Sequence, residues 1–254
     1  MAILVLGATS EIAQKNIDLF AARGEHLILA ARHLAGIQYL KWPLGSSVQF
    51  IYYSARETFQ SILSAEMFWL QCVEMARVYW NEGISGVYVA QGFLPSGDPK
   101  QWGDEVGQTI FLNFTSITFF LEAAARWYET HAGAVPAPWI AVISSVAGER
   151  GRWSNYPYGA AKAGLTAYLS GLRARLYPIG VHVLTVKPGL VRTRMIAHRP
   201  QARSAAAVSP TRIAFWIDRA IARRQNVLYA PPWWRWAMLL LRAIPEFIFK
   251  RLKF

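Results

Sequence analysis

With 254 residues and 28.6 kDa the chain can bury a full core, and one α/β domain of this size is ordinary. Its 54% hydrophobic residues and eleven Trp exclude a disordered chain or a minimal scaffold, and its single cysteine, Cys72, excludes an intrachain disulfide or cysteine metal cluster and suits a reducing compartment. The net charge of +12 is concentrated at the end, where residues 195–254 hold eleven Lys or Arg against two acids; such a surface suits nucleic acid, acidic headgroups or phosphorylated substrates.

The first element expected is a strand, Ala2–Leu6, with none of the basic residues of an export signal. Gly7-Ala8-Thr9-Ser10-Glu11-Ile12-Ala13 then opens a helical pattern through Ile17, Leu19, Phe20 and Ala22. Strand, tight turn and helix N-terminus make an anion site, because free N–H groups and the helix dipole both favour a phosphate. The general dinucleotide fingerprint has three glycines; here Gly7 is followed by Glu11 and Ala13 in the other two places. A carboxylate beside a pyrophosphate repels it, so Glu11 is expected to point away or engage a donor.

His26–Ala31 reads as the second strand and ends at Arg32. In a dinucleotide fold an acid at this point prefers a free ribose 2′-hydroxyl, and an arginine accommodates a 2′-phosphate, so Arg32 favours NADP(H) over NAD(H). A third strand is expected over 48–53, a long amphipathic helix over 56–79, and a fourth strand over 86–90 leading into Gln91-Gly92. A long helix over 104–131 carries Asn113 inside an apolar run, where its amide needs either backbone partners or an ordered water. The fifth strand covers 139–144, a helix runs to about Tyr177, the sixth strand covers 181–186, and Lys187-Pro188-Gly189 turns at the carboxyl edge of the sheet. Strands alternating with helices of this length require a parallel sheet with right-handed crossovers. The expected fold class is α/β: a Rossmann-type doubly wound parallel sheet of about seven strands, helices on both faces. One domain spans 1–230, and an apolar-basic tail spans 231–254.

The chemistry centres on two stretches. Ile143-Ser144-Ser145-Val146-Ala147-Gly148 reads as a strand emerging into a cleft, and Tyr158-Gly159-Ala160-Ala161-Lys162 as a helix. Tyr158 and Lys162 lie at i and i+4, on one helical face, where the ammonium is expected to favour the phenolate and lower the tyrosine pKa from about 10. Such a tyrosine donates a proton to a carbonyl oxygen. Period-two alternation puts Ser144 and Ser145 on opposite faces of the strand.

Taken together, these motifs resemble the short-chain dehydrogenase/reductase family over nearly the whole chain. The family's Tyr-x-x-x-Lys is matched by Tyr158 and Lys162, its serine thirteen residues before the tyrosine by Ser145, its helix asparagine by Asn113, and its Pro-Gly-x-Val-x-Thr by Pro188, Gly189, Val191 and Thr193. The resemblance implies hydride transfer between nicotinamide C4 and a carbonyl or secondary alcohol. Tyr158 is the proton donor, Lys162 lowers the tyrosine pKa and binds the nicotinamide ribose, Ser145 binds the substrate oxygen, and Asn113 holds a relay water. It also implies cofactor contacts at Gly7, Thr9, Ser10, Glu11, Ile12, Arg32, Ser54, Ala55, Ala90, Gln91, Gly92, Tyr158, Lys162, Pro188, Gly189, Val191 and Thr193, with Leu190 near the nicotinamide. A homo-oligomer built on the helices carrying Asn113 and Tyr158 is implied too. Three places depart from the family: the Gly7 turn, the Asn-Asn-Ala-Gly reduced to Val89-Ala90-Gln91-Gly92, and Ser54 where an acid often follows the third strand.

A closer resemblance lies with the decaprenylphosphoryl-2-keto-pentose reductases and their relatives. It rests on the Gly7 to Ala13 stretch, on Gly151-Arg152-Trp153-Ser154-Asn155-Tyr156-Pro157-Tyr158, on Val227-Leu228-Tyr229-Ala230-Pro231-Pro232, and on Ile244-Pro245-Glu246-Phe247. It implies a keto group on a lipid-linked sugar as substrate. The tail from Trp233 to Ile244 is apolar and aromatic but interrupted by Arg235 and Arg242 and stopped by Pro245, so it falls short of the roughly 20 apolar residues a transmembrane helix needs. Tryptophan flanked by arginine suits the headgroup region, and packing on the domain or in a dimer is the alternative. A cytoplasmic enzyme, peripheral on the inner face of the membrane, is therefore expected. Residues 195–209, without a strong pattern, are expected to cover the substrate. The basic residues are interleaved with bulky apolar ones and no nucleic-acid motif accompanies them, which argues against nucleic acid. Two other functions stay open: a reductase or dehydrogenase of a free lipophilic ketone, such as a steroid or long-chain 3-oxo compound, and a non-catalytic NADP-binding scaffold.

Overall fold

The computed structural model describes residues 1–33, 47–95, 99–197 and 200–252. Its strands are β1 (Ala2–Leu6), β2 (His26–Ala31), β3 (Val48–Tyr52), β4 (Ile84–Val89), β5 (Trp139–Ile143), β6 (His182–Pro188) and β7 (Val227–Ala230). They form one parallel sheet in the order β3-β2-β1-β4-β5-β6-β7. This is the doubly wound Rossmann-type arrangement, with its switch point between β1 and β4. The central strands β1, β4 and β5 are buried along their whole length because both faces are covered, as parallel sheets require.

Side-chain alternation divides the core into two halves. Leu4 and Leu6 of β1 face a cluster containing Trp69, Phe120 and Leu165, supplied by α3 (Ile62–Trp80), α5 (Ser116–Thr130) and α6 (Tyr156–Leu176). Ile3 and Val5 face the other way, onto Ile17 and Phe20 of α1 (Glu11–Ala22) and Ile213 and Ile217 of α7 (Pro210–Ala222). Asn16, fully buried, links these two helices: its amide nitrogen donates to the Ala214 carbonyl at 3.0 Å, and its oxygen accepts from the Tyr88 hydroxyl at 3.0 Å. Cys72 is buried in the first cluster, and burial raises its thiol pKa, which makes it a packing residue rather than a nucleophile.

Two expected helices differ in the structure. The stretch expected as one helix over 56–79 is split into α2 (Ala55–Thr58) and α3, because Ser61 caps α3 through a reciprocal pair with Ser64 that starts a new helix. The helix over 104–131 is continuous but not regular. It runs as α4 (Glu105–Ile110), a π-helical turn over Phe111–Thr115, and α5. Asn113 sits in the middle of that wide turn, a feature common at functional sites. The tail folds into α8 (Trp234–Ala243) and α9 (Glu246–Phe249), and no helix among the described residues is long and apolar enough to cross a membrane.

Candidate active site

At the carboxyl edge of the sheet a cleft of about 490 Å³ opens over the switch point. Its floor depends on Gly7, which has φ +76° and lies so close to the next strand that a β-carbon there would stand 2.7 Å from the Gln91 amide nitrogen. Only glycine fits both constraints. Every cofactor residue expected from the sequence lines the cleft: Gly7, Thr9, Ser10, Glu11 and Ile12 at the first turn; Arg32, Ser54 and Ala55 past β2 and β3; Ala90, Gln91 and Gly92 past β4; Tyr158 and Lys162; and Pro188, Gly189, Val191 and Thr193 past β6. Leu190 joins them.

Glu11 engages a donor. Its carboxylate accepts from the Arg194 backbone N–H at 2.7 Å, and the Arg194 guanidinium lies 3.8 Å away. The Arg194 guanidinium also donates to the Thr9 carbonyl at 3.4 Å. The loop after β6 is thereby tied across the cleft to the first turn. Gln91, in place of the family's alanine, turns its side chain into the protein: it donates to the Leu112 carbonyl and the Ser116 hydroxyl, both at 2.9 Å, and accepts from Tyr53. Its side chain holds β4 to the π turn.

The reaction centre lies at the end of β5. Ser144 faces α6, bonding to the Lys162 carbonyl at 3.0 Å and to Thr166 at 2.8 Å, so the alternation separates it from Ser145 as expected. Ser145 accepts from the Ala147 N–H at 3.1 Å and hydrogen-bonds Tyr158. Lys162 is 1% exposed and donates to the Ile143 carbonyl at 2.9 Å, with its nitrogen 5.7 Å from the Tyr158 ring centre.

The expected electrostatics are corrected here. Burial pushes Tyr158 up to about 12, although the Ser145 hydrogen bond acts in the lowering direction. Burial also brings Lys162 down to about 7. A lysine losing its charge near neutrality does not draw the tyrosine down; desolvation dominates both groups. The consequence is a tyrosine that keeps its proton at neutral pH, the state a proton donor needs.

Asn113 is the one expected catalytic residue that does not line the cleft. It is fully buried, donates to the carbonyls of Phe93 at 2.6 Å and Thr109 at 2.8 Å, and accepts from the Phe93 N–H at 3.1 Å. Both amide hydrogens are taken by backbone, so the side chain clamps the loop following β4. It still stands next to the centre, since a β-carbon on Gly92 would lie 3.3 Å from its oxygen and 4.0 Å from the Lys162 nitrogen.

The short chain dehydrogenase family matches residues 1–204, four-fifths of the chain and all of the site described so far. The chain belongs to that family. As a short-chain dehydrogenase it is an oxidoreductase that works with a nicotinamide dinucleotide. It is 28% identical over 98% of its length to an uncharacterised oxidoreductase encoded in the mprA 5′ region of Streptomyces coelicolor, covering 95% of that protein. An uncharacterised oxidoreductase of Mycobacterium tuberculosis is 39% identical over 113 residues, which is 44% of this chain and 45% of that protein. The fold superposes with TM-score 0.76 on a short-chain dehydrogenase from Sphingobium yanoikuyae in complex with NADPH, at 23% identity and 96% coverage of both chains.

Sequence reasoning missed the far wall of this dehydrogenase's cleft. Arg152, Asn155 and Trp234 line it beside Met195, which belongs to the segment expected to cover the substrate, and Arg56 joins Arg32 at the other end. Trp234 comes from the tail: a β-carbon on Gly189 would stand 1.8 Å from its indole nitrogen, so the ring lies directly on the Pro-Gly turn. The tail is fastened there. Arg150 donates to the carbonyls of Leu241 at 2.7 Å and Ile244 at 2.5 Å, pairs with Glu246 at 2.8 Å, and lies 3.7 Å from the Phe249 ring centre. Glu149 receives Lys187 at 2.7 Å, Tyr229 at 2.8 Å and Arg242 at 3.4 Å. Burial opposes its ionisation, but the Lys187 and Tyr229 hydrogen bonds hold its carboxyl below the usual range. The only sequence signal for this wall was proximity: Arg152 and Asn155 stand within six residues of Tyr158.

Proposed function

We propose that the chain is an NADP-dependent reductase acting on a carbonyl carried by a lipid-linked, phosphate-bearing molecule at an anionic membrane surface, a keto sugar on a polyprenyl phosphate being the substrate that suits it best. One observation carries this reading: two faces of a single helix serve the cleft and the exterior. The inner face of α8 places Trp234 in the cleft wall and buries Met238. Its outer face exposes Trp236 (64%), Leu239 and Leu240 (72%), continued by Phe247 and Ile248 of α9. Arg235 and Arg251 border this patch, as expected of a segment seated among acidic headgroups. The open end of the cleft is thus next to the surface that would meet the lipid.

NADP is favoured over NAD by Arg32 and Arg56 at the cofactor end. No acid stands beside Arg32 to prefer a free ribose hydroxyl, and among the described residues Arg32 makes no ion pair. The bound nicotinamide supplies the hydride. The residues of this chain do the rest. Tyr158, held protonated by burial, gives its proton to the forming alkoxide, and Ser145 hydrogen-bonds the same oxygen. Lys162 holds the ribose hydroxyls beside it, and Asn113 positions the loop on which Gly92 meets the cofactor.

The test is NADPH oxidation, with NADH in parallel, on a short polyprenyl-phosphate keto sugar presented in phosphatidylglycerol or in phosphatidylcholine vesicles. Removing the tail would strip a wall from the cleft, so Leu240→Glu on the exposed face is the variant to use. NADPH turnover that is faster in anionic vesicles and falls about tenfold in Leu240→Glu, with NADPH affinity unchanged, supports the reading. Turnover of soluble ketones without vesicle dependence would make the chain a reductase of free lipophilic ketones, and NADPH binding without turnover of any carbonyl would make it a non-catalytic NADP-binding scaffold.

A further inference from the structure

Arg152 stands apart from the other half-buried arginines of the molecule. Arg150 has the Glu246 carboxylate and two carbonyls; Arg173 donates to Val183, Thr185 and Asn226, each at 2.8 Å; even the exposed Arg192 donates twice to the Ala207 carbonyl at 2.9 and 2.5 Å. Among the described residues Arg152 has two long contacts only, both through one terminal nitrogen: 3.4 Å to the Val146 carbonyl and 3.6 Å to the Met238 sulfur. Its Nε is buried without a partner, and among the described residues it makes no ion pair. The nearest acid in sequence, Glu149, is already engaged by Lys187, Tyr229 and Arg242. A guanidinium carries five donors, and taking its charge out of water uncompensated is costly.

This arginine lines the cleft, and its contact with Val146 sets it one residue beyond Ser145. Burial alone lowers its pKa, as expected of a cation lacking a counter-charge. The same wall holds two further buried polar atoms without partners, the Asn155 side-chain oxygen and the Trp234 indole nitrogen. Two donors and one acceptor left over on one wall suit a ligand with an anionic group and hydroxyls. The cofactor's pyrophosphate would be held at the Gly7 turn and its ribose 2′-phosphate by Arg32 and Arg56 past β2 and β3, away from the wall beside β5.

We propose that Arg152 is the anion-recognition residue of the substrate end of the cleft, taking the charged oxygens of a phosphate ester or carboxylate on the molecule whose carbonyl lies at Ser145 and Tyr158. The proposal rests on the reductase reading of this cleft, and its test does not depend on turnover. The full chain saturated with NADP⁺ is titrated calorimetrically with phenyl phosphate, benzoate and benzyl alcohol, in wild type, Arg152→Met and Arg152→Lys. Phenyl phosphate or benzoate should bind the wild type, the tighter of the two identifying the source of the anion. Arg152→Met should weaken it by roughly 10- to 100-fold, as loss of a charge-assisted hydrogen-bonding pair does. Arg152→Lys should recover part of that loss, because the charge returns without the fork. Benzyl alcohol and NADP⁺ affinities should not move. If Arg152→Met does not fold, a several-fold loss of anion affinity in Arg152→Lys supports the assignment. Anions binding no better than benzyl alcohol, or anion binding unaltered in a folded variant, would overturn it. NADPH oxidation with a neutral ketone, measured separately, shows whether the reductase reading itself has failed.

Discussion

The reaction centre and the substrate wall occupy one cleft, yet their polar atoms are in opposite conditions. At the centre, Ser144, Ser145, Lys162 and Asn113 have protein partners, and Tyr158 has Ser145. On the wall, Arg152, Asn155 and Trp234 each carry a buried atom with no partner. The first group is preorganised by the fold, and reacting atoms placed there meet fixed dipoles. The second group is completed by whatever binds. The difference teaches that the reacting groups are completed within the family scaffold, while the open wall is shared between that scaffold, through Arg152 and Asn155, and the tail that docks on it, through Trp234.

Three experiments break or sharpen this contrast. The largest effect is expected for Tyr158→Phe, which removes the proton donor and should lower turnover by at least ~10²-fold, the range a general acid supplies. NADPH affinity by fluorescence titration should be nearly unchanged, and near-normal turnover would remove Tyr158 from the mechanism.

Lys162→Met tests whether preorganisation is costly to the fold. Burial lowers this lysine from 10.5 to about 7. Between those values the folded state holds fewer protons than the unfolded one, so stability rises with pH through the window and the destabilisation is complete only below pH 7. The variant should therefore melt several degrees above wild type at pH 6, at roughly 2–4 °C per kcal/mol for a domain of this size, with the gap shrinking toward pH 10. A gap independent of pH would show that Lys162 is not desolvated in the folded chain. Turnover should be lost at every pH.

The smallest effect is expected for Glu11→Gln. The amide oxygen still accepts from the Arg194 N–H, but the negative charge beside the phosphate-binding turn is gone. NADPH should bind a few-fold more tightly, an effect that fades with added salt as exposed electrostatics do. Weaker binding would instead show that the Glu11–Arg194 tie closes the cleft on the cofactor.

Much of the first region was legible in the chain itself. Apolar runs of four to seven residues gave the strands, and Tyr158 with Lys162 at i and i+4 gave the centre, because these signals are local in sequence. What failed was also physical. The break at Phe59 to Ser61 depends on a cap formed by two serines, which amphipathic periodicity does not register. Which backbone groups the Asn113 amide meets was not legible either, because Phe93 approaches it from a separate loop.

The direction of the pKa shifts was decided in three dimensions as well. Spacing along a helix puts Lys162 near Tyr158, but burial, which sets both values, is made by β5, the loop after β4 and the π turn closing around them. The sequence by itself determined the strand and helix alternation, the parallel sheet and the identity of the reacting side chains, since each follows from periodicity or short-range spacing. Tertiary structure alone decided that the tail folds back onto Gly189, that Arg150 and Glu149 fasten it, and that Arg152 is left without a counter-charge beside Ser145. Those contacts join residues up to about a hundred positions apart, and no local rule of the chain encodes which of its many arginines will find a partner.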